Sequence, residues 1–294
     1  MALAPTVVRG PLPSELVAQV HALNAEAEAS DGVAALSEQR LLWLDDPQAP
    51  VAHLLVQDAG RLLGLAQLDL GVDGEAVAEL VVSPAERRRG LGRALLEAAR
   101  GLEPGRRFSV WAHGDLPAAR ALATGLGLRP DRELWLMRLE LAARPQVAVP
   151  ALPEGVSLRT FVVGQDEEAW LRVNARAFAD HPEQGRLTRG DLEARIAEPW
   201  FDPESFFLAE RDGALLAFAW LKVVDGLGEL YVLGVDPEAQ GTGLGTILTA
   251  RTLERFEELG LGVAILYTSA GNRAAVRTYA KFGFTPANVD VTYA

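Results

Sequence analysis

The chain has 294 residues, 49% hydrophobic and 23% charged, which suits two soluble domains of about 150 residues each. A formal net charge of -12 argues against nucleic acid as a partner, because that affinity comes from neutralising phosphates. There is no cysteine, which excludes disulfides, thiolate metal sites and a cysteine nucleophile.

The start, MALAPTVVRG, lacks a basic region followed by an apolar core, so no signal peptide is expected. No apolar run approaches the roughly 18 residues that span a bilayer. The expectation is a cytoplasmic protein with no membrane partner. Arginine supplies almost all the basic charge; Lys222 and Lys281 are the only lysines.

Residues 14–29 read as a helix capped by Ser14, and residues 36–44 as a second, shorter helix. HLLVQDAGRLLGLAQLDL and EAVAELVVS are apolar runs broken by turn residues, which predicts antiparallel strands. A helix over 87–100, a strand at FSVWAH, a helix over 116–126 and a strand at ELWLMRLEL complete the first half. Residues 142–155 carry three prolines without a period and read as a linker between domains 1–141 and 156–294.

The second half repeats the order. VSLRTF is a strand, and 166–178 and 188–198 are helices. SFFLAERDGALLAFAWLKV is a hairpin turning at Asp212-Gly213, and GELYVLGV is a strand. A helix over 243–258, a strand at GVAILYTS, a helix over 272–282 and a closing strand at VDVTY follow. The fold class expected is α+β: two tandem copies, each a mixed, mostly antiparallel sheet flanked by helices.

The two halves share one motif. SPAERRRGLG (residues 83–92) and DPEAQGTGLG (236–245) each stand where a strand hands over to a helix. A helix start has free N–H groups and a partial positive charge, and glycine lets an anion approach them. A structural turn is the alternative reading of either copy alone; two copies in matching contexts favour an anion site. A Walker A loop would need Gly-Lys-Ser/Thr, and a Rossmann loop would need a preceding parallel βαβ unit; neither is present.

The late motif Asn272, Ala275, Tyr279, Gly283, Phe284, with the Gly-x-Gly loop and Val-Asp-Pro about 40 residues earlier, resembles the GNAT acyl-CoA N-acetyltransferases. Over nearly the whole chain, the stretches AHGDLPAARALATGLGL, WFDP and GELYVLGVDPEAQ resemble the tandem GNAT enzymes of actinobacteria that acetylate the cysteinyl amine of a cysteine–glucosamine–inositol thiol. The resemblance implies acetyl-CoA as co-substrate, no metal, and a small thiol-sugar as partner. A fused pair already supplies two domains, so a monomer is expected. At Gly241-Thr242 the chain lacks the basic residues usual in that family.

By that resemblance, acetyl-CoA would be held in the second half by Leu233, Gly234 and Val235, by Gln240, Gly241, Thr242, Gly243, Leu244, Gly245 and Thr246, and by Asn272, Arg273, Ala274, Ala275, Val276 and Arg277. The first-half counterparts are Leu80, Val81, Val82, Arg88, Arg89, Gly90, Leu91, Gly92 and Arg93. A strand bulge at Leu233-Gly234 would free N–H groups to polarise the thioester carbonyl.

Acetyl transfer needs a neutral amine and a protonated leaving thiol. Glu229 is the candidate base, with a solvated strand-end carboxylate as the alternative. Tyr279 is the candidate acid, with a core tyrosine as the alternative; Asn272 is either a cofactor contact or a helix cap. Substrate candidates are Glu38, Glu183, Lys222, Glu229 and Tyr267. Aligning the halves sets Ala123 against Tyr279, Leu116 against Asn272 and Ala76 against Glu229, so the first half is expected not to catalyse. His21, His53, His113 and His181 show no metal-ligand spacing. The competing functions are acetylation of another small amine or a peptide, and a non-catalytic acyl-CoA-binding regulator.

Overall fold

A computed structural model describes residues 4–179 and 184–294. The elements in chain order are β1 (Thr6–Arg9), α1 (Ser14–Asp31), α2 (Glu38–Leu42), β2 (Val51–Asp58), β3 (Arg61–Asp69), β4 (Glu75–Val82), α3 (Leu91–Leu102), β5 (Arg107–Ala112), α4 (Pro117–Gly125) and β6 (Pro130–Glu140). Then come β7 (Ser157–Thr160), α5 (Glu167–Ala177), α6 (Arg189–Ile196), β8 (Phe206–Arg211), β9 (Ala214–Val224), β10 (Leu227–Val235), α7 (Leu244–Glu258), β11 (Val263–Ser269), α8 (Arg273–Lys281) and β12 (Thr285–Tyr293). Among the described residues no helix is long and apolar enough to cross a membrane.

The expected elements are present, with shifted edges. Helix α1 starts at Ser14, with Pro13 in the cap position and no side-chain cap, so Ser14 does not cap it. Residues 87–90 stay in the loop, and α3 begins only at Leu91. Thr188 does cap α6, in a reciprocal box with Asp191.

The chain forms two compact units, and their limits differ from the domains expected from sequence. The first holds Met1–Leu134 together with Val289–Ala294; the second holds Trp135–Asn288. Strands β6 and β12 each change unit part-way. Met137, Leu139 and Leu141 join the core of the second unit, whereas Val291 and Tyr293 join that of the first. Residues 142–155 are not a loose spacer either. Leu141 N donates to Gly262 O at 2.9 Å, Arg144 pairs with Glu257 at 3.4 Å, and Val147 packs against the second unit's core.

In the first unit β1, β2, β3 and β4 pair antiparallel in sequence order; β4 then pairs parallel with β5, and β5 antiparallel with the end of β12. One core lies under α3 and α4, with Leu91, Leu95 and Leu96; the other lies under α1, with Val20 and Leu23. The second unit repeats this. Strands β7, β8, β9 and β10 pair antiparallel, and β10 pairs parallel with β11. Leu244, Leu248 and Phe256 of α7 cover one face, and Trp170 and Leu192 of α5 and α6 cover the other. Because both faces are covered, the central strands β2, β3, β8 and β9 are apolar along most of their length.

The α1–α2 face of the first unit carries a buried ion network. Arg40 lies 3.4 Å from Glu79 and 3.7 Å from Asp69, and Ser37 donates to Glu79 from both its N–H and its hydroxyl. His113 Nδ1 is 3.0 Å from Asp290, and its Nε2 is 3.4 Å from Glu79. Burial alone would depress the His113 pKa, but attraction to Glu79 and the bonds to Asp290 and Glu79 outweigh it and raise the pKa well above the histidine range. For Glu79 burial pushes upward, yet His113, Arg40 and the Ser37 N–H hold its pKa well below the usual carboxylate range.

Folding raises the imidazole's pKa, so its stabilisation is complete below 6.5 and fades as pH climbs through the folded value. The carboxylate's share runs the other way, complete above 4.5 and lost on acidification. Breaking such a buried pair costs about 3–5 kcal/mol. His113→Gln is therefore expected to lower the melting temperature most near pH 6, with the deficit shrinking toward pH 10. A deficit constant over that range would mean that His113 is neutral in the fold.

Candidate active site

The two Gly-x-Gly loops have the same backbone. Gly241 and Gly243 take φ of 78° and 90°; Arg88 and Gly90 take 64° and 86°. Two left-handed residues in alternation turn successive N–H groups outward, and neither α3 nor α7 has a side-chain cap on its first turn. The absence of a basic residue at position 241 thus has a backbone reason: glycine adopts this conformation without strain, as Arg88 does not. In the second loop Asp236 accepts from Glu238 N and Arg176, and Thr242 Oγ1 donates to Ala239 O, which fixes the turn.

The predicted cofactor contacts divide into backbone and side chain. Leu80, Val81, Leu91 and Leu244 point into cores, so only their main chain faces a ligand. Arg87 is committed to Asp31 through two 2.7 Å bonds, Arg89 to Glu86, and Arg93 to Glu97 and Gly125 O. Arg88 alone of these arginines is exposed with no ion pair among the described residues. One contact was not anticipated: a Cβ on Gly243 would stand 3.0 Å from Pro150, so the segment read as a linker leans on the second loop.

The strand beside that loop opens as the resemblance implies, but not at the expected residue. The register of β10 against β9 shifts between Leu230 and Val232, making Tyr231 the inserted residue, while Leu233 and Gly234 pair regularly with Ala219 and Phe218. Gly234 is there for another reason: a Cβ would meet the Phe218 ring at 2.6 Å. The parallel pairing of β10 with β11 covers only Leu227–Leu230 against Val263–Leu266. Past Leu230 the β10–β11 ladder ends, while β10 stays paired with β9 as far as Val235.

The bulge also corrects the alignment of the halves. Glu229 pairs with Ile265 as Val77 pairs with Ser109, so Val77, not Ala76, stands opposite Glu229. The next position on that face of the strand is Tyr231 in the second unit and Glu79 in the first. The first unit therefore does hold a strand carboxylate near the equivalent place, but Arg40 and His113 engage it. Leu116 and Asn272 both occupy helix N-cap positions, and Ala123 and Tyr279 are both core residues, as aligned.

Glu229 and Lys222 are direct cross-strand partners, so their side chains share the α5–α6 face. Lys222 Nζ lies 4.7 Å from the Trp200 ring centroid and 5.4 Å from that of Tyr231. Tyr279 is on the other face, buried beside Phe284 at a ring distance of 6.1 Å, with burial raising its pKa above the phenol range. Asn272 Oδ1 accepts from Ala275 N at 3.1 Å, so the helix-cap reading is the one observed. Arg273, Ala274 and Arg277 are exposed, and Ala275 and Val276 half-buried. Tyr267, on β11, is 45% exposed. Glu38 opens α2 in the first unit. Glu183 and His181 lie outside the described residues.

Sequence reasoning missed Trp200, Tyr231 and Arg195. Tyr231 was within reach, since it shares a strand face with Glu229 two positions on.

The model of the acetyltransferase (GNAT) family matches residues 18–127 and 170–284. The chain belongs to the GNAT acetyltransferase family. It is 53% identical over 98% of its length to the mycothiol acetyltransferase of Cellulomonas flavigena, of which the match covers 88%. It is 55% identical over 98% of its length to that of Sanguibacter keddieii, covering 96% of the relative. A solved tandem GNAT protein from the clavulanic acid biosynthesis pathway shares the fold, with a TM-score of 0.72 at 23% identity over 99% of this chain and 97% of that one.

Proposed function

We propose that this GNAT protein is a mycothiol acetyltransferase. It moves the acetyl group of acetyl-CoA to the cysteinyl amine of a cysteine–glucosamine–inositol pseudo-disaccharide, giving mycothiol and CoA. The observation that carries this is the end of the β10–β11 ladder at Leu230 in the second unit, with Glu229 and Lys222 on one face of the sheet and Tyr279 on the other. Identity above 50% to named mycothiol acetyltransferases supports the acceptor.

In this reading the uncapped N–H groups of α7 hold the pyrophosphate, and the main chain of 232–235 takes the thioester carbonyl. The amine approaches from the α5–α6 face, and Glu229, directly or through a water, accepts its proton. As the new C–N bond forms and the C–S bond breaks, Tyr279 gives its proton to the departing sulfur. The first unit offers the same anion loop without this pair, and so binds acyl-CoA without turning it over. The same reading makes the enzyme a cytoplasmic monomer that needs no metal.

The test is CoA release by purified protein with acetyl-CoA and cysteinyl-glucosaminyl-inositol, beside unrelated amines and peptides. Turnover confined to that acceptor is expected. Turnover with a different amine would keep the mechanism and discard the acceptor. Tight acetyl-CoA binding with no turnover on any amine would leave a binding module.

A further inference from the structure

We propose that Trp200, Tyr231 and Arg195 form a box that positions the Lys222 ammonium beside Glu229, making them positioning residues for acceptor binding. This rests on the reading of the second unit as the acceptor site.

The Trp200 and Tyr231 rings meet at 5.2 Å and 59°, and the Lys222 ammonium lies within cation–π reach of both. Each ring is itself fixed. Trp220, fully buried, packs against Trp200 at 5.7 Å and against Tyr231 at 5.4 Å. Arg195, only 5% exposed, donates from Nε to the Tyr231 hydroxyl at 2.7 Å. A buried guanidinium is costly to leave unsatisfied, so this bond holds the phenol firmly. Tyr231, two positions past Glu229, lies on the Lys222 face.

Lysine has a long, flexible stem and a strongly hydrated head, and holding it in one place costs side-chain entropy. The box meets that cost before the acceptor arrives. It also decides against another use of Trp200. Lys222 and Trp220 both lie against its ring, which argues against a bare platform for stacking a sugar. What the acceptor meets on this face is a fixed cation directly across from a carboxylate. Such a pair matches a ligand rich in hydroxyl oxygens that carries one amine.

The chain's two lysines make the box directly visible. In protein labelled with ¹³C-lysine, the ε-methylene of Lys222 is expected upfield of that of Lys281 because of the ring currents of Trp200 and Tyr231. Lys281→Arg assigns the pair. Trp200→Leu should abolish the upfield shift and raise the acceptor KM about tenfold, leaving kcat and the acetyl-CoA KM within about twofold. Trp200→Phe should restore most of both. Tyr231→Phe keeps the ring and removes the hydroxyl that Arg195 holds, so it reports on the box if Trp200→Leu folds poorly; a rise in acceptor KM of about threefold is expected. A wild-type spectrum without a shifted lysine, or an unchanged acceptor KM once the shift is lost, overturns the proposal. If the wild-type protein does not acetylate the thiol-sugar at all, the assigned function fails, and the lysine spectra still decide whether the box exists.

Discussion

Tyr279→Phe is expected to lower kcat for acetyl transfer about 100-fold or more while the acetyl-CoA KM stays within a few-fold. The substitution removes one hydroxyl and leaves the ring in the core against Phe284. Stability should therefore change little, and a lost proton donor is the remaining cause. Burial keeps the phenol protonated throughout the working pH range. A phenol with a raised pKa is a weak acid, but the leaving thiolate develops in the same apolar surroundings, where its basicity rises too. Because acid and base are shifted together, burial does not widen the small gap between a phenol, at about 10, and a thiol, at about 8.5. No hydrogen-bond partner for this hydroxyl is found among the described residues, which leaves its proton available to a ligand. Steady-state CoA release, with acceptor and acetyl-CoA varied in turn, checks this. An unchanged kcat would take Tyr279 out of the mechanism and leave it a core residue.

Strands β2, β3, β4, β8 and β9 were legible because their apolar runs are buried on both faces, whereas β1, exposed along most of its length, was not read at all. The Gly-x-Gly loops were legible because their backbone demands left-handed residues, and the two copies reinforced each other. The unit boundaries were not. Strands β6 and β12 run unbroken through the change of unit, and nothing in their composition marks residue 134 or 288. The bulge was placed at Leu233-Gly234 because glycine in a strand suggests irregularity, whereas this glycine makes room for Phe218. The box around Lys222 joins α6, the turn after it, β9 and β10. Its members lie up to 36 residues apart in sequence, so only folding brings Arg195 to Tyr231. The ion network of the first unit was hidden for the same reason: Arg40, Glu79, His113 and Asp290 share no motif.

The second large effect is expected at Glu229. Glu229→Gln keeps the size and the strand position and removes only the ability to take a proton. At pH 6.5 an α-amine with a pKa of about 8 is almost wholly protonated, so kcat/KM should fall about 100-fold or more there. Above pH 9 the amine arrives already neutral, the base has less to do, and the deficit should narrow to within about tenfold. The slope of the deficit separates the roles. A loss equal at every pH would mean that Glu229 orients the acceptor and something else takes the proton. The first unit argues for the proton role. It keeps the anion loop and a β4–β5 pairing that ends at Ala78, yet sets Val77 at this position and commits its nearest strand carboxylate, Glu79, to His113 and Arg40. A unit that only bound acyl-CoA would lose nothing by that exchange. A unit that had to neutralise an amine would lose its base.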